Sequence, residues 1–100
     1  MKKPSHLKKQ QKSHELFSLM NVGEATFQDL EILNIRTIEK LSQAHPDELY
    51  QRLQQLTGRS HDPCVWDVFS AIIHEARTGE KTPWYAWTPV RKKRQKEGTF

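Results

Sequence analysis

The sequence predicts an all-α fold, a compact bundle of about five short helices with flexible basic tails. Three observations support this prediction. Apolar residues recur at helical spacing in several segments, helix start and stop signals separate these segments, and no segment alternates polar and apolar residues as a strand does. One hundred residues, 35% of them hydrophobic, are enough for one domain with a small core.

The first helix is predicted to begin near Ser13, a suitable N-cap residue, with Leu16 and Leu19 at helical spacing. Asn21 and Gly23 then interrupt the pattern, because both residues accept left-handed backbone angles. The sequence therefore predicts a tight turn after a short helix.

The second helix is predicted from Glu24 to Leu33, and Asn34 supplies a left-handed residue that ends it. Thr37 is a good N-cap for a short third helix, in which Ile38 and Leu41 face inward.

The fourth helix has a well-formed start, with Pro46 at its first position and the carboxylates of Asp47 and Glu48 near the positive end of its dipole. Gly58 is predicted to end it. The apolar residues at helical spacing in this helix are Leu49, Leu53 and Leu56.

The fifth helix follows Asp62-Pro63, which repeats the same start signal, and Gly79 is predicted to end it. Its sequence, CVWDVFSAIIHEA, is the most apolar segment of the chain. We therefore expect the other helices to pack on this one.

Charge is distributed unevenly along the chain. Residues 1–12 carry five lysines and no acid, residues 91–100 have a balance of +4, and residues 13–90 carry six basic and eleven acidic residues, a balance of −5. We predict a disordered basic tail over 1–12, a helical domain over 13–90 and a basic C-terminal tail over 91–100. Attraction to polyanions should be concentrated in the tails, whose cations are Lys2, Lys3, Lys8, Lys9, Lys12, Arg91, Lys92, Lys93, Arg94 and Lys96.

Membrane and secreted proteins do not fit this composition. The longest apolar run, Trp84 to Trp87, is far shorter than the ~20 residues that cross a bilayer. The basic N-terminus is followed by no apolar stretch of the kind that a signal peptide requires. The single cysteine, Cys64, excludes an internal disulfide and fits a reducing compartment. We expect a soluble, cytoplasmic protein that does not contact membranes.

The segment LMNVGEATFQDL has the outline of a helix-hairpin-helix, a motif whose turn typically reads Gly-hydrophobic-Gly. Here Asn21, Val22 and Gly23 form the turn, and the backbone N–H groups near Glu24 and Ala25 would meet a phosphate. The Glu24 carboxylate opposes this role, because it competes for the N–H groups and repels a phosphate. The alternative is a helical corner that only packs into the core.

A metal site and a catalytic site are both poorly supported. His61, Asp62, Cys64 and His74 include potential zinc ligands, but a helix places His74 about 15 Å from Cys64 and on another side. No glycine-rich oxyanion turn accompanies Cys64. We therefore predict no metal, no cofactor and no catalytic residue.

The aromatic segment Trp84–Trp87 lies between Pro83 and Pro89, which predicts an extended backbone. Its rings could stack on bases or line a peptide groove. We favour a latch that closes over the central helix.

The chain resembles the pathogenicity-locus family of small bacterial proteins over roughly residues 14–89. The matching segments are 19–23, 33–37, 47–50, 61–69 and 83–88, and the most specific parts read HDPC and WYAW. The resemblance implies a compact all-α fold related to helix-hairpin-helix and SAM-like domains, in a bacterial cytoplasmic setting. It implies little about activity.

Two function classes follow. The first is weak, sequence-independent binding of the DNA or RNA backbone by a protein that is not an enzyme. The alternative is a protein-interaction module or accessory subunit without nucleic-acid contact, since an acidic helical body suits a basic protein partner. The sequence does not distinguish DNA from RNA and does not reveal an oligomeric state.

Overall fold

The computed structural model describes residues 14–100, which form helices joined by short turns. In chain order these are a first 3₁₀ helix at Glu15–Ser18, α1 at Glu24–Ile32, α2 at Ile38–Ser42, α3 at Pro46–Thr57, α4 at Cys64–Thr78, a second 3₁₀ helix at Trp84–Trp87 and α5 at Thr88–Glu97. This part of the chain contains no strand. The predicted all-α bundle is confirmed.

Helix α4 is the centre of the bundle, as its apolar sequence predicts. Phe69, Ile72 and Ile73 are buried on it, and α2, α3 and the second 3₁₀ helix pack against it. The remaining apolar residues of the core are Leu16, Leu19, Val22, Phe27, Leu30, Leu33, Ile35, Leu41, Leu49 and Leu53. Removal of these side chains from water supplies the main driving force for folding.

Several helix ends lie where local signals predict them. Asn34 has φ 60°, and Gly58 and Gly79 have φ 69° and 80°, so each supplies the left-handed residue that follows a helix. The Thr37 hydroxyl accepts the N–H of Lys40 at 3.0 Å and caps α2.

The first helix differs from its prediction. It is a four-residue 3₁₀ helix, and its cap is the His14 ring, which accepts the N–H of Leu16. A segment this short cannot propagate an α-helix by itself, and Glu15 is instead bound to the N–H of Ile38. On α3, Leu49 and Leu53 are buried, whereas Leu56 is 57% exposed. Residues 1–13, with the predicted N-terminal tail and the Ser13 cap, lie outside the described residues.

The C-terminal prediction of a flexible tail from residue 91 is corrected. Residues 88–97 form α5, and the preceding segment Trp84–Trp87 is a 3₁₀ helix, whereas an extended backbone was predicted. Pro89 is compatible with this helix because it lies in the first turn, where its missing N–H is not needed. Within residues 14–100, no helix combines the length and apolar character that crossing a bilayer requires.

Candidate nucleic-acid interface

The turn that precedes α1 is held by hydrogen bonds to distant parts of the chain. Asn21 has φ 98°, in the left-handed region. Its side-chain Nδ2 donates to the Thr82 carbonyl at 2.8 Å, and its Oδ1 accepts the N–H of Trp84 at 3.1 Å. The N–H of Met20 donates to the Glu75 carboxylate at 2.8 Å. The turn is therefore fixed against α4 and against the segment that leads into the second 3₁₀ helix.

The start of α1 presents backbone N–H groups to solvent. Val22 is buried, whereas Glu24 and Ala25 are exposed and no side chain caps the helix. Gly23 has an extended backbone, and a Cβ at this position would meet no atom within 4 Å. The fold itself therefore does not require a glycine here. An anion can approach these N–H groups, although the Glu24 carboxylate lies in the same turn.

Arg91 lies on the inward side of α5 and is buried against Asp67 of α4. Its Nε and Nη2 donate to the two carboxylate oxygens of Asp67 at 3.0 and 3.1 Å. The Thr88 hydroxyl also donates to Asp67, and the Gln95 side-chain oxygen accepts from Arg91. These hydrogen bonds to Asp67 raise the pKa of the Arg91 guanidinium. The charge of Arg91 is therefore used inside the protein.

Arg94, one turn further along α5, is bound to Asp47 of α3. Its Nη1 and Nη2 donate to Asp47 at 2.7 and 3.0 Å, and its guanidinium lies 5.6 Å from the centre of the Trp66 ring. The indole N–H of Trp66 donates to the same carboxylate at 2.7 Å. The hydrogen bonds from Arg94 hold the pKa of Asp47 below its ordinary value.

Lys92, Lys93 and Lys96 are exposed on the outward side of α5, and we call them the lysine ridge. Their position follows from helix geometry: the inward side is taken by Arg91 and Arg94, which are three residues apart and share a face. The ridge concentrates three cations on one side of a helix whose other side is bound to acidic residues of the bundle.

Two aromatic side chains are exposed next to the ridge. Trp84 is 37% exposed and Tyr85 is 64% exposed, and their rings meet edge to face at 5.8 Å. They help to line an open groove of about 590 Å³, which we call the aromatic groove. The other residues that line it are Cys64, Thr88, Pro89, Arg91 and Lys92.

Trp87 behaves as the predicted latch, in contrast to its two neighbours. It is half-buried, its indole N–H donates to the Thr82 hydroxyl at 3.0 Å, and its ring lies 5.4 Å from that of His74 on α4. One ring of the segment therefore attaches the second 3₁₀ helix to α4, and the other two rings remain accessible.

The histidines and the cysteine have other partners. His61 Nε2 lies 2.7 Å from the Thr57 hydroxyl, and His74 Nε2 lies 2.7 Å from the Glu80 carboxylate. The hydrogen bond of Cys64 with Asp62 raises the pKa of the thiol, the opposite of what activates a nucleophile. Within residues 14–100, His, Cys, Asp and Glu side chains form no group of three that could hold a metal ion.

The structure brings together some of the predicted site residues. Asn21 is hydrogen-bonded to Trp84, and Trp84 shares the aromatic groove with Lys92, so the turn before α1 and the lysine ridge flank the same aromatic segment. The prediction that Arg91 and Arg94 belong to a flexible cationic tail is corrected, because each is paired with an aspartate of the bundle. The candidates Lys2, Lys3, Lys8, Lys9 and Lys12 lie outside the described residues.

The exposed pair Trp84 and Tyr85 was absent from the predicted site. The signal that could have identified it was the absence of an apolar partner segment after Gly79, where every residue except Trp84 to Trp87 and Val90 is polar, charged, glycine or proline until Phe100. The bundle therefore has no element left to cover all three rings.

Comparisons with known proteins identify relatives of this chain. The family model described as Cdd1, Pathogenicity locus, matches residues 9–93. A mitomycin resistance protein, McrB, from Streptomyces lavendulae is 33% identical over 79 residues, which cover 79% of this chain and 75% of the relative. No solved structure gives a significant match.

Proposed function

The chain belongs to the Pathogenicity locus family, and we propose that it is a small non-enzymatic protein that binds nucleic-acid backbones weakly and without sequence preference. The observation that carries this proposal is the division of α5 into two sides. Arg91 and Arg94 are bound to aspartates, and Lys92, Lys93 and Lys96 face solvent. A helix anchored in this way presents its lysines to a phosphate chain at fixed positions.

The anchoring of α5 lowers the entropy cost of binding a phosphate chain. A flexible arm must be ordered when it binds, and fixing its backbone costs about 1–2 kcal/mol per residue. In the lysine ridge, the helical backbone is already ordered, so only the side chains lose freedom. Asp67 and Asp47, the two carboxylates bound to α5, are already neutralised by the two arginines, so they oppose a phosphate at the lysine ridge less than free carboxylates would.

The turn before α1 would supply a second, weaker contact of the helix-hairpin-helix type. Its backbone N–H groups belong to the uncapped start of α1, where Glu24 and Ala25 are exposed, and Gly23 leaves open space for a phosphate. The Glu24 carboxylate reduces this contribution by about 1 kcal/mol at contact range in water. The lysine ridge therefore dominates affinity in this proposal.

The name of the Streptomyces lavendulae relative supports an extension of the proposal, that binding by this chain contributes to mitomycin resistance. A mitomycin-sensitive bacterium that expresses the chain should survive the drug better than one that expresses the Lys92→Gln/Lys93→Gln/Lys96→Gln variant. Equal survival of the two strains would show that the lysine ridge does not contribute to resistance.

The main test is salt-dependent binding of a random-sequence duplex by the whole chain. The triple lysine variant should weaken binding and make the slope of log affinity against log salt shallower by about 2–3, since each phosphate contact accounts for ~0.9. The matched control is Lys40→Gln/Arg52→Gln/Arg59→Gln, which removes the same charge from exposed positions outside α5.

The two triple variants separate local contact from net charge. If both weaken binding equally, the attraction depends on total charge and the lysine ridge is not the site. A further variant with Lys2, Lys3, Lys8, Lys9 and Lys12 changed to Gln measures the share of the N-terminal lysines in the same assay.

Docking of a basic protein partner is the second candidate function. It is supported by the balance of −5 over residues 13–90 and by the exposure of Ile32 and Leu56, two large apolar side chains on α1 and α3. If the wild-type chain binds no nucleic acid even at low salt, this second candidate replaces the first.

A further inference from the structure

The aromatic groove combines two features that a duplex-binding surface does not need. Trp84 and Tyr85 offer large aromatic surfaces to solvent, and the groove they line also contains Lys92. A double helix offers phosphates to a lysine, but its bases are stacked on each other and their faces cannot reach an aromatic ring. The faces of unpaired bases are accessible, and they stack on exposed aromatic side chains.

We propose that the aromatic groove binds single-stranded nucleic acid, with bases stacked on Trp84 and Tyr85 and phosphates bound by Lys92 and its neighbours on the lysine ridge. This inference rests on the proposed function and names the strand state that the chain prefers. The shape and the charge of the groove both fit such a ligand. The groove is open and largely apolar, and its charged residues on α5 are cationic.

The surroundings of the groove give the bound strand a direction. Cys64 lines the groove, and next to it the exposed Asp62 carboxylate accepts the Cys64 N–H at 2.8 Å. Phosphates are repelled by the Asp62 carboxylate and attracted to Lys92 and Lys96, which are four residues apart on one face of α5. The strand backbone should therefore follow α5 while its bases point towards the rings.

The 3₁₀ helix that carries the rings is also held at a defined position, which favours stacking over loose contact. The N–H of Trp84 is bound by Asn21, and Trp87 fixes the other end of the 3₁₀ helix through the Thr82 hydroxyl. A platform that is already ordered loses little conformational freedom when a base binds.

The test measures binding of three fluorescent probes to the whole chain at one low salt concentration: an oligothymidine of about twelve nucleotides, an abasic strand of the same length, and a duplex. The wild-type chain should bind the oligothymidine about tenfold or more tightly than the abasic strand. Trp84→Ala/Tyr85→Ala should remove that difference and leave duplex binding within about twofold, because the phosphate contacts remain.

Two further variants guard against a folding artefact. Trp84→Phe/Tyr85→Phe keeps two aromatic rings and should retain most of the preference for oligothymidine, whereas Phe100→Ala removes an exposed ring elsewhere and should retain all of it. Circular dichroism should show unchanged helix content for each variant.

Each outcome has a distinct meaning. If the wild-type chain binds all three probes equally, or if the double alanine variant weakens all three equally, stacking is wrong and backbone binding stands. If the wild-type chain binds none of them, the proposed function itself fails and a protein partner becomes the better assignment for the groove.

Discussion

Arg91 and Asp67 form a buried bidentate ion pair that joins α5 to the central helix α4. The two N–O distances are 3.0 and 3.1 Å, and the Asp67 side chain is completely buried. A carboxylate at such a depth is tolerated only when it is paired and hydrogen-bonded, and Thr88 supplies a further hydrogen bond. The pair therefore helps to hold the strongly basic helix α5 against α4.

Removal of one member of this pair should be strongly destabilising. Asp67→Ala or Arg91→Ala leaves an unpaired buried charge, and such a loss costs about 3–5 kcal/mol, a large part of the stability of a domain of this size. Urea unfolding followed by circular dichroism measures the free energy of unfolding.

The double variant Asp67→Leu/Arg91→Met is the control. It leaves the net charge unchanged and removes both buried charges, so it should recover most of the stability that either single change loses. Single variants that lose less than about 1 kcal/mol would contradict the importance assigned to the pair.

The Asp47–Arg94 pair should make part of the protein's stability sensitive to acid. The pKa of Asp47 is lowered in the folded protein, chiefly by the hydrogen bonds from Arg94. Its contribution to stability is therefore fully present above the unfolded value of about 3.9 and is lost as pH falls through the lower folded value. Asp47→Asn should reduce the free energy of unfolding at neutral pH, by up to about 1 kcal/mol for a pair this exposed, and by less as pH falls from about 5 towards 2.

Glu48→Gln provides the matched control for this pH experiment. Both substitutions remove one carboxylate from the first turn of α3, but only Asp47 binds Arg94. The difference in stability between the two variants, followed by urea unfolding as a function of pH, isolates the pair from the helix-dipole effect. If the difference did not shrink in acid, the pairing would not be its cause.

Local signals in the sequence were sufficient for most of the bundle. Thr37, Pro46 and Gly58 each act through atoms within a few residues, so their effects on helix ends are readable from the sequence alone. The apolar stripe of α4 is likewise a local pattern, and its central position follows from the number of apolar residues it carries.

Helix α5 could not be predicted in the same way, because its inward face is made of arginines rather than apolar residues. Arg91 and Arg94 find their partners 24 and 47 residues earlier in the chain. Such pairing depends on tertiary structure, and the sequence shows only a run of cations, which is also typical of a solvated tail. The same reason explains why Arg91 and Arg94 are no longer part of the candidate site, whereas the lysine ridge remains part of it.

Asn21 should stabilise the fold in two ways, through the hydrogen bonds of its side chain and through its tolerance of a left-handed backbone. Asn21→Gly keeps access to φ 98° but loses the hydrogen bonds to Thr82 and Trp84, at a cost of about 1–2 kcal/mol. Asn21→Ala loses the same hydrogen bonds and adds backbone strain, for roughly another 1 kcal/mol. Urea unfolding of the two variants separates these effects, and equal stability of both would show that the backbone angle carries no cost.

The Glu24 carboxylate provides a direct test of whether phosphate approaches the start of α1. Glu24→Gln removes a negative charge beside the free N–H groups, so duplex affinity should rise by about fivefold if a phosphate binds there, since contact repulsion in water is about 1 kcal/mol. The measurement is duplex binding at low salt.

Glu31→Gln is the matched control for this change, because it removes the same charge from an exposed position at the other end of the same helix. An equal rise in both variants would report net charge alone and would leave the turn before α1 as a structural corner. A rise confined to Glu24→Gln would place phosphate at the uncapped N–H groups. The stability of Glu24→Gln should fall by about 0.3–1 kcal/mol in either case, since the carboxylate also stabilises the start of α1.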